Sequence, residues 1–117
     1  MYIRIMKDSS QLYKGTLSTI VLKLLSYQKK MYGYEICKKV QEITDGKMNL
    51  TEGALYPTLH KLEADDLLTV SVEVIGNRSR KYYSLTQKGK SNFKIKMEEF
   101  EAFVAQMHHL LQLKTQL

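Results

Sequence analysis

Tryptophan is absent from these 117 residues, and cysteine and proline occur once each, as Cys37 and Pro57. A lone cysteine excludes an internal disulfide and any multi-cysteine metal centre. No apolar run approaches the ~20 residues a membrane-spanning helix requires, so no membrane partner is expected. The stretch from Met1 to Asp8 lacks the apolar segment and small-residue cleavage site of a secretory signal. These absences fit a cytoplasmic protein. Internal repeats, low-complexity tracts and proline- or serine-rich linkers are also missing. So is any carboxylate pair, nucleophile–base set or glycine-rich phosphate loop at catalytic spacing, and neither an enzyme nor a cofactor is expected. His108 and His109 are adjacent, so a helix points them ~100° apart, which ill suits a shared metal.

What is present is positive charge, unevenly placed. The net charge is +6. Residues 1–90 hold 15 Lys/Arg against 9 Asp/Glu, whereas residues 91–117 hold 3 of each. The whole excess therefore lies in the N-terminal part, for which a polyanion is a natural partner. The neutral C-terminal part is free to pack against something else.

Apolar periodicity divides the chain into elements. Residues 17, 20, 21, 24 and 25 form a helical stripe within Leu12 to Tyr27. Ile36, Val40 and Ile43 repeat the period across Tyr34 to Thr44, and Asp45-Gly46 is a stop signal. Thr51 is a good N-cap for a third helix, with Leu55, Leu59 and Leu62 on one face and an end near Asp65-Asp66. Pro57 conflicts with that helix, because proline removes a hydrogen bond and its ring crowds the carbonyl four residues back, here Gly53. A bend or an irregular start is expected.

Residues 68–85 read as a β-hairpin. Val70, Val72 and Val74 alternate, Tyr82, Tyr83 and Leu85 answer them, and Gly76 to Lys81 makes a flexible basic tip. Thr86 caps a last helix, spanning about residues 88–113 and ~39 Å long. Along it Phe93, Met97, Phe100, Val104, Met107 and Leu111 alternate spacings of four and three, with Phe103 and Leu110 widening the stripe. This heptad seam is too long for the small globular part to cover, and a second copy of the same helix is its most economical cover. The fold class is thus mainly α with a small β-hairpin. A winged helix-turn-helix domain occupies 1–87 and a C-terminal dimerisation helix 88–117.

Four short motifs, in order, now resemble the PadR-like transcriptional regulators. They are Lys14-Gly15-Thr16-Leu17, Tyr32-Gly33-Tyr34-Glu35-Ile36, Gly53 to Leu59 with Leu62-Glu63, and Arg78 to Thr86 with Gly89. The resemblance spans about 75 residues and includes the awkward proline. It is similar to the small subgroup with one C-terminal helix. Where the family usually carries a glycine after the third helix, this chain reads Asp65-Asp66-Leu67.

The resemblance implies a homodimeric repressor that binds double-stranded DNA. The third helix would enter the major groove and the wing would flank it. On this reading Arg78, Arg80 and Lys81, with Asn77 and Ser79, meet phosphates or the minor groove; the bland reading is solvated charge that blunts a sheet edge. Thr51, Gly53, Tyr56, His60 and Lys61 face DNA from the third helix, unless Tyr56 packs against the wing. Tyr34 and Lys38 hold the backbone from the second helix. Phe93, Met97, Phe100, Phe103, Val104, Met107, Leu110 and Leu111 form the dimer seam. In the multidrug-sensing subgroup a flat pore between two such helices takes planar aromatic compounds. Met97 and Phe100 would line it here, for a small hydrophobic effector, without tryptophan as a stacking platform. Cys37 reads as a small core residue. The rival is a winged-helix module that binds a protein, for which neutral or acidic surfaces would be expected.

Overall fold

Leucines at helical spacing set the packing of the domain. The structure, a computed structural model, describes residues 13–114. A short 3-10 turn over Lys14–Thr16 leads into helix α1 (Leu17–Tyr27). Strand β1 (Met31–Tyr32), helix α2 (Gly33–Ile43) and helix α3 (Glu52–Ala64) follow. Strands β2 (Leu68–Ile75) and β3 (Arg78–Leu85) make the hairpin, and helix α4 (Gln87–Leu111) ends the fold. Val21 and Leu22 of α1, Ile36 of α2, and Leu55 and Leu59 of α3 meet with no exposed surface. Met31 and Tyr83 close the core from the sheet. Leu12, expected in the first helix, lies outside the described residues.

The sheet has three strands in the order β1-β3-β2, all antiparallel. Strand β1 is only two residues long, too short for an alternating pattern to announce it. Ile75 pairs with Arg78 across a two-residue turn in which Gly76 has φ +63°. Two-residue II′ hairpin turns need a positive φ at this first central position, which glycine adopts without steric cost.

Helix α3 runs through Pro57 rather than breaking there. The missing N–H would have bonded the carbonyl of Gly53. Both residues are exposed, so water can take that carbonyl and the loss is mild.

Helices α2 and α3 end alike. At the end of α3, Leu67 N–H donates to the Leu62 carbonyl at 2.9 Å and Asp66 N–H to Glu63 at 3.0 Å. At the end of α2, Gly46 N–H donates to Gln41 at 2.8 Å and Asp45 N–H to Glu42 at 3.3 Å. Both are Schellman caps, whose turning residue must be left-handed. Aspartates fill both positions, Asp45 at φ +53° and Asp66 at φ +63°. The missing glycine after the third helix is therefore replaced by a residue that tolerates the same conformation at a cost, and the turn stays sharp.

That turn anchors α4. Thr86 Oγ1 donates to the Asp66 carbonyl at 2.6 Å and accepts the Gly89 N–H at 2.9 Å. Thr86 N–H donates to the Leu67 carbonyl at 3.1 Å, and Lys88 Nζ to that of Asp65 at 3.1 Å. Gly89 is buried against the turn, and a Cβ there would overlap the Leu67 carbonyl oxygen.

Two substitutions should move stability in opposite directions. Gly89→Ala forces backbone apart and should cost on the order of 2 kcal/mol or more. Asp66→Gly relieves a left-handed aspartate and an acid at a helix C-terminus, and should gain roughly 1 kcal/mol. Urea unfolding with an unchanged slope would read both.

Candidate nucleic-acid interface

The N-terminus of α3 is open. Thr51 Oγ1 accepts the Ala54 N–H at 3.2 Å, and the helical ladder starts with Leu55 N–H on the Thr51 carbonyl at 3.0 Å. The earlier N–H groups of the turn have no intrahelical carbonyl to meet. Thr51, Glu52, Gly53 and Ala54 are all exposed. A Cβ on Gly53 would touch nothing within 4 Å, so packing inside the protein does not require glycine there. A shallow groove runs from this turn to α2, lined by Tyr34, Lys38, Gln41, Asn49, Thr51 and Glu52. Tyr34 and Lys38 are exposed in it. Gln41 donates to Asn49 at 3.2 Å across its far end.

Tyr56 does not share that exposure. Its ring is half-buried against the core, and its hydroxyl fits a notch that exists only because residue 33 is glycine. The hydroxyl donates to Glu52 Oε1 at 3.1 Å. Burial, then the Glu52 carboxylate, raises the phenol above its ordinary range. Tyr56 thus ties α3 to the start of α2, which departs from its expected place on the outward face. His60, one turn on, lies 6.0 Å from the Tyr56 ring and is exposed, as is Lys61. Cys37 is half-buried beside this contact, and burial first raises its thiol, so it stays protonated at neutral pH.

The hairpin register divides the three wing cations. Side chains alternate across a strand. Arg78 and Arg80 therefore share the Tyr82 face, and Ser79 and Lys81 take the other with Tyr83. This corrects the expectation of one three-cation cluster at the tip. Only Gly76 and Asn77 occupy the turn, and Arg78 follows it. Arg80 is half-buried, its guanidinium 4.5 Å over the Tyr32 ring. Tyr32 stacks on Tyr34 at 6.3 Å and meets Tyr82 edge-on at 5.4 Å. An aromatic row thus connects the wing arginines to the groove beside Thr51. Sequence reasoning missed Tyr32 as part of this surface, because its partners Tyr34 and Arg80 lie in different elements. The double tyrosine around Gly33 was the available signal.

The apolar stripe of helix α4 is partly covered by its own domain and partly exposed. Phe93 packs against the protein's own core, with Lys23 Nζ 5.7 Å from its ring. Met97 and Phe100 are half-buried over α1 and line an apolar cleft of about 440 Å³ with Ile20, Val40, Ile43 and Met48. Phe93 therefore packs on its own domain, where the Gly89 contact holds this end of α4. Farther along, Met107 is half-buried, while Phe103, Val104, Leu110 and Leu111 are exposed, Leu110 by 72%.

Among the described residues no group of three or more His, Cys, Asp or Glu side chains could hold a metal ion. Nor is any described helix long and apolar enough to cross a membrane. A basic wing beside an open helix start, with a projecting helix behind, defines a winged-helix regulator. Residues 21–95 match the model of the transcriptional regulator PadR-like family, and the chain belongs to that family. Its members are transcriptional regulators, not enzymes. The chain is similar to a transcriptional regulator of Clostridium thermocellum, 30% identical with a TM-score of 0.77, over 86% of this chain and 94% of that one. A PadR family regulator of Eggerthella lenta is 27% identical with a TM-score of 0.74, over 89% and 88%. Transcriptional regulator YqjI of Escherichia coli is 33% identical over 64% of this chain, which spans only 34% of that relative.

Tyr83 yields a prediction for the site's scaffold. Burial, then Glu63, raises its phenol above the ordinary 10.0. The unfolded chain therefore loses that proton first, so stability present below pH ~10 is lost as the pH climbs beyond it. Thermal melts of Tyr83→Phe should show a shallower alkaline decline than the parent.

Proposed function

We propose that the protein is a cytoplasmic homodimer that binds double-stranded DNA and represses transcription. The observation that carries this reading is the continuous surface from Arg78 and Arg80 through Tyr32 and Tyr34 to Lys38 and Thr51. Cations and phenol hydroxyls along one face suit a phosphate backbone. The bare first turn of α3, with free N–H groups and no Cβ on Gly53, suits close approach to phosphate. His60 and Lys61 lie farther along α3, where side chains in a major groove meet base edges or the opposite strand. Asn77 and Ser79 add donors near the wing turn, and Lys81 reaches from its other face.

The exposed Phe103, Val104, Leu110 and Leu111, with Met107, support dimerisation through α4. Two copies would then set their α3 helices on half-sites about one helical turn apart, ~34 Å. Such a dimer across a promoter would block transcription. The apolar cleft beside Met97 and Phe100 also touches Thr44 and Met48, in the connection from α2 to α3. A small hydrophobic effector lodged there would push on the approach to α3, which supports ligand-controlled release.

The testing experiment is binding to the gene's own upstream DNA and to an unrelated duplex of equal length, across a salt series. Affinity should fall steeply with salt and favour the upstream duplex. Arg78→Ala should weaken both duplexes alike and reduce the salt slope by about 1. A protein that binds neither duplex at low salt would leave the protein-binding module as the better account. Separately, Phe103→Asp should convert a dimer to a monomer in sedimentation equilibrium while the helical circular dichroism signal stays. An unchanged mass would remove α4 from the interface.

A further inference from the structure

The face of the wing that carries Arg78 and Arg80 also carries an acid. Glu73 lies directly across the hairpin from Arg80. Its carboxylate forms an ion pair with Lys30, from the turn between α1 and β1. Lys30 Nζ also sits 5.0 Å from the Tyr82 ring, next to the Tyr32 ring that carries Arg80. One carboxylate is thus set among three cations, at the edge of the surface proposed to meet phosphate. Both members of the pair are partly exposed, at 45% for Lys30 and 35% for Glu73, so neither is locked in the core.

We propose that Glu73 is an internal stand-in for a DNA phosphate: it occupies Lys30 and lowers the sequence-independent affinity of the wing. The inference rests on the DNA-binding reading. Two physical effects act together. The acid repels an approaching polyanion, and it neutralises a cation that would otherwise displace counterions from the duplex. Lys30 is then a phosphate-binding residue in waiting, in an element that no recognition motif covers. A regulator gains from such restraint because unrelated DNA outnumbers its operator by many orders of magnitude, and weak general binding keeps it available. Glu52, the acid on α3, is different in kind. It engages Tyr56 and sits at a helix N-terminus, where it stabilises the protein's own fold.

The test is binding of a random-sequence duplex across a salt series by the full chain and three variants. Glu73→Gln should tighten binding on the order of tenfold at low salt and steepen the salt slope by about 1. The double variant Glu73→Gln with Lys30→Ala should return to the parental affinity and slope. Glu98→Gln, the same charge change on α4, should give a smaller gain than Glu73→Gln. A parent that binds while Glu73→Gln matches it in affinity and slope overturns the inference alone. So does an equal gain from Glu98→Gln, which would make net charge the cause. A parent that binds no duplex at low salt overturns the DNA-binding reading and this inference with it.

Discussion

The contact of Gly89 with the Leu67 carbonyl sets the geometry on which the other parts depend. It brings the start of α4 onto the turn that ends α3, closer than any side chain would permit. Thr86, Lys88 and Gly89 bond or pack against three successive residues of that turn. The direction of α4 is thereby fixed relative to α3. In the proposed dimer, one helix spaces the two copies and the other meets DNA. A rigid joint between them converts subunit spacing directly into half-site spacing. A flexible joint would let each α3 search independently and would lose the benefit of two-fold symmetry.

Charge on the wing is more constrained than its amount suggests. The hairpin carries three cations close together in sequence, yet the pleat sends Lys81 to one face and Arg78 and Arg80 to the other. Arg80 lies over the Tyr32 ring, and Glu73 occupies Lys30. Contact with a ring restrains a guanidinium while its outer N–H groups can still donate, so such an arginine loses less freedom on binding than a free one. Arg78 is exposed beside the hairpin turn. The two arginines thus differ in character, one resting on a ring and one exposed, although composition counts them the same.

Much of the fold was legible because the periods are clean. Leucines at 55, 59 and 62 announced α3, and the valine alternation with Gly76-Asn77 announced the hairpin. Thr86 and Thr51 were readable caps because each side chain does bond the N–H three residues on. What stayed hidden was pairwise and non-local. Strand β1 exists only because β3 lies beside Met31 and Tyr32. Tyr56 looked outward by spacing, but Gly33, in another helix, opens a notch for it. Lys30 and Glu73 are 43 residues apart, and no local rule joins them. Pro57 looked disruptive because propensity takes no account of an exposed Gly53 whose carbonyl can turn to solvent.

The apolar stripe on α4 divides into a covered portion and an exposed one. A heptad stripe runs from Phe93 to Leu111, which alone suggests a single uniform interface. Yet the Gly89 joint presses the first turns onto α1, so Phe93 is spent on the protein's own core. Only beyond Phe100 does the stripe leave the domain, with Phe103, Val104, Leu110 and Leu111 exposed. Met97 and Phe100 stand at the boundary, beside the cleft that reaches Thr44 and Met48. A second copy docking on the outer half would therefore close over the edge of that cleft. Dimer packing, cleft shape and the approach to α3 would then share the same few side chains. In the proposed dimer, a molecule lodged in the cleft would reach both the approach to α3 and the inner half of α4, and so could change DNA affinity without touching the wing.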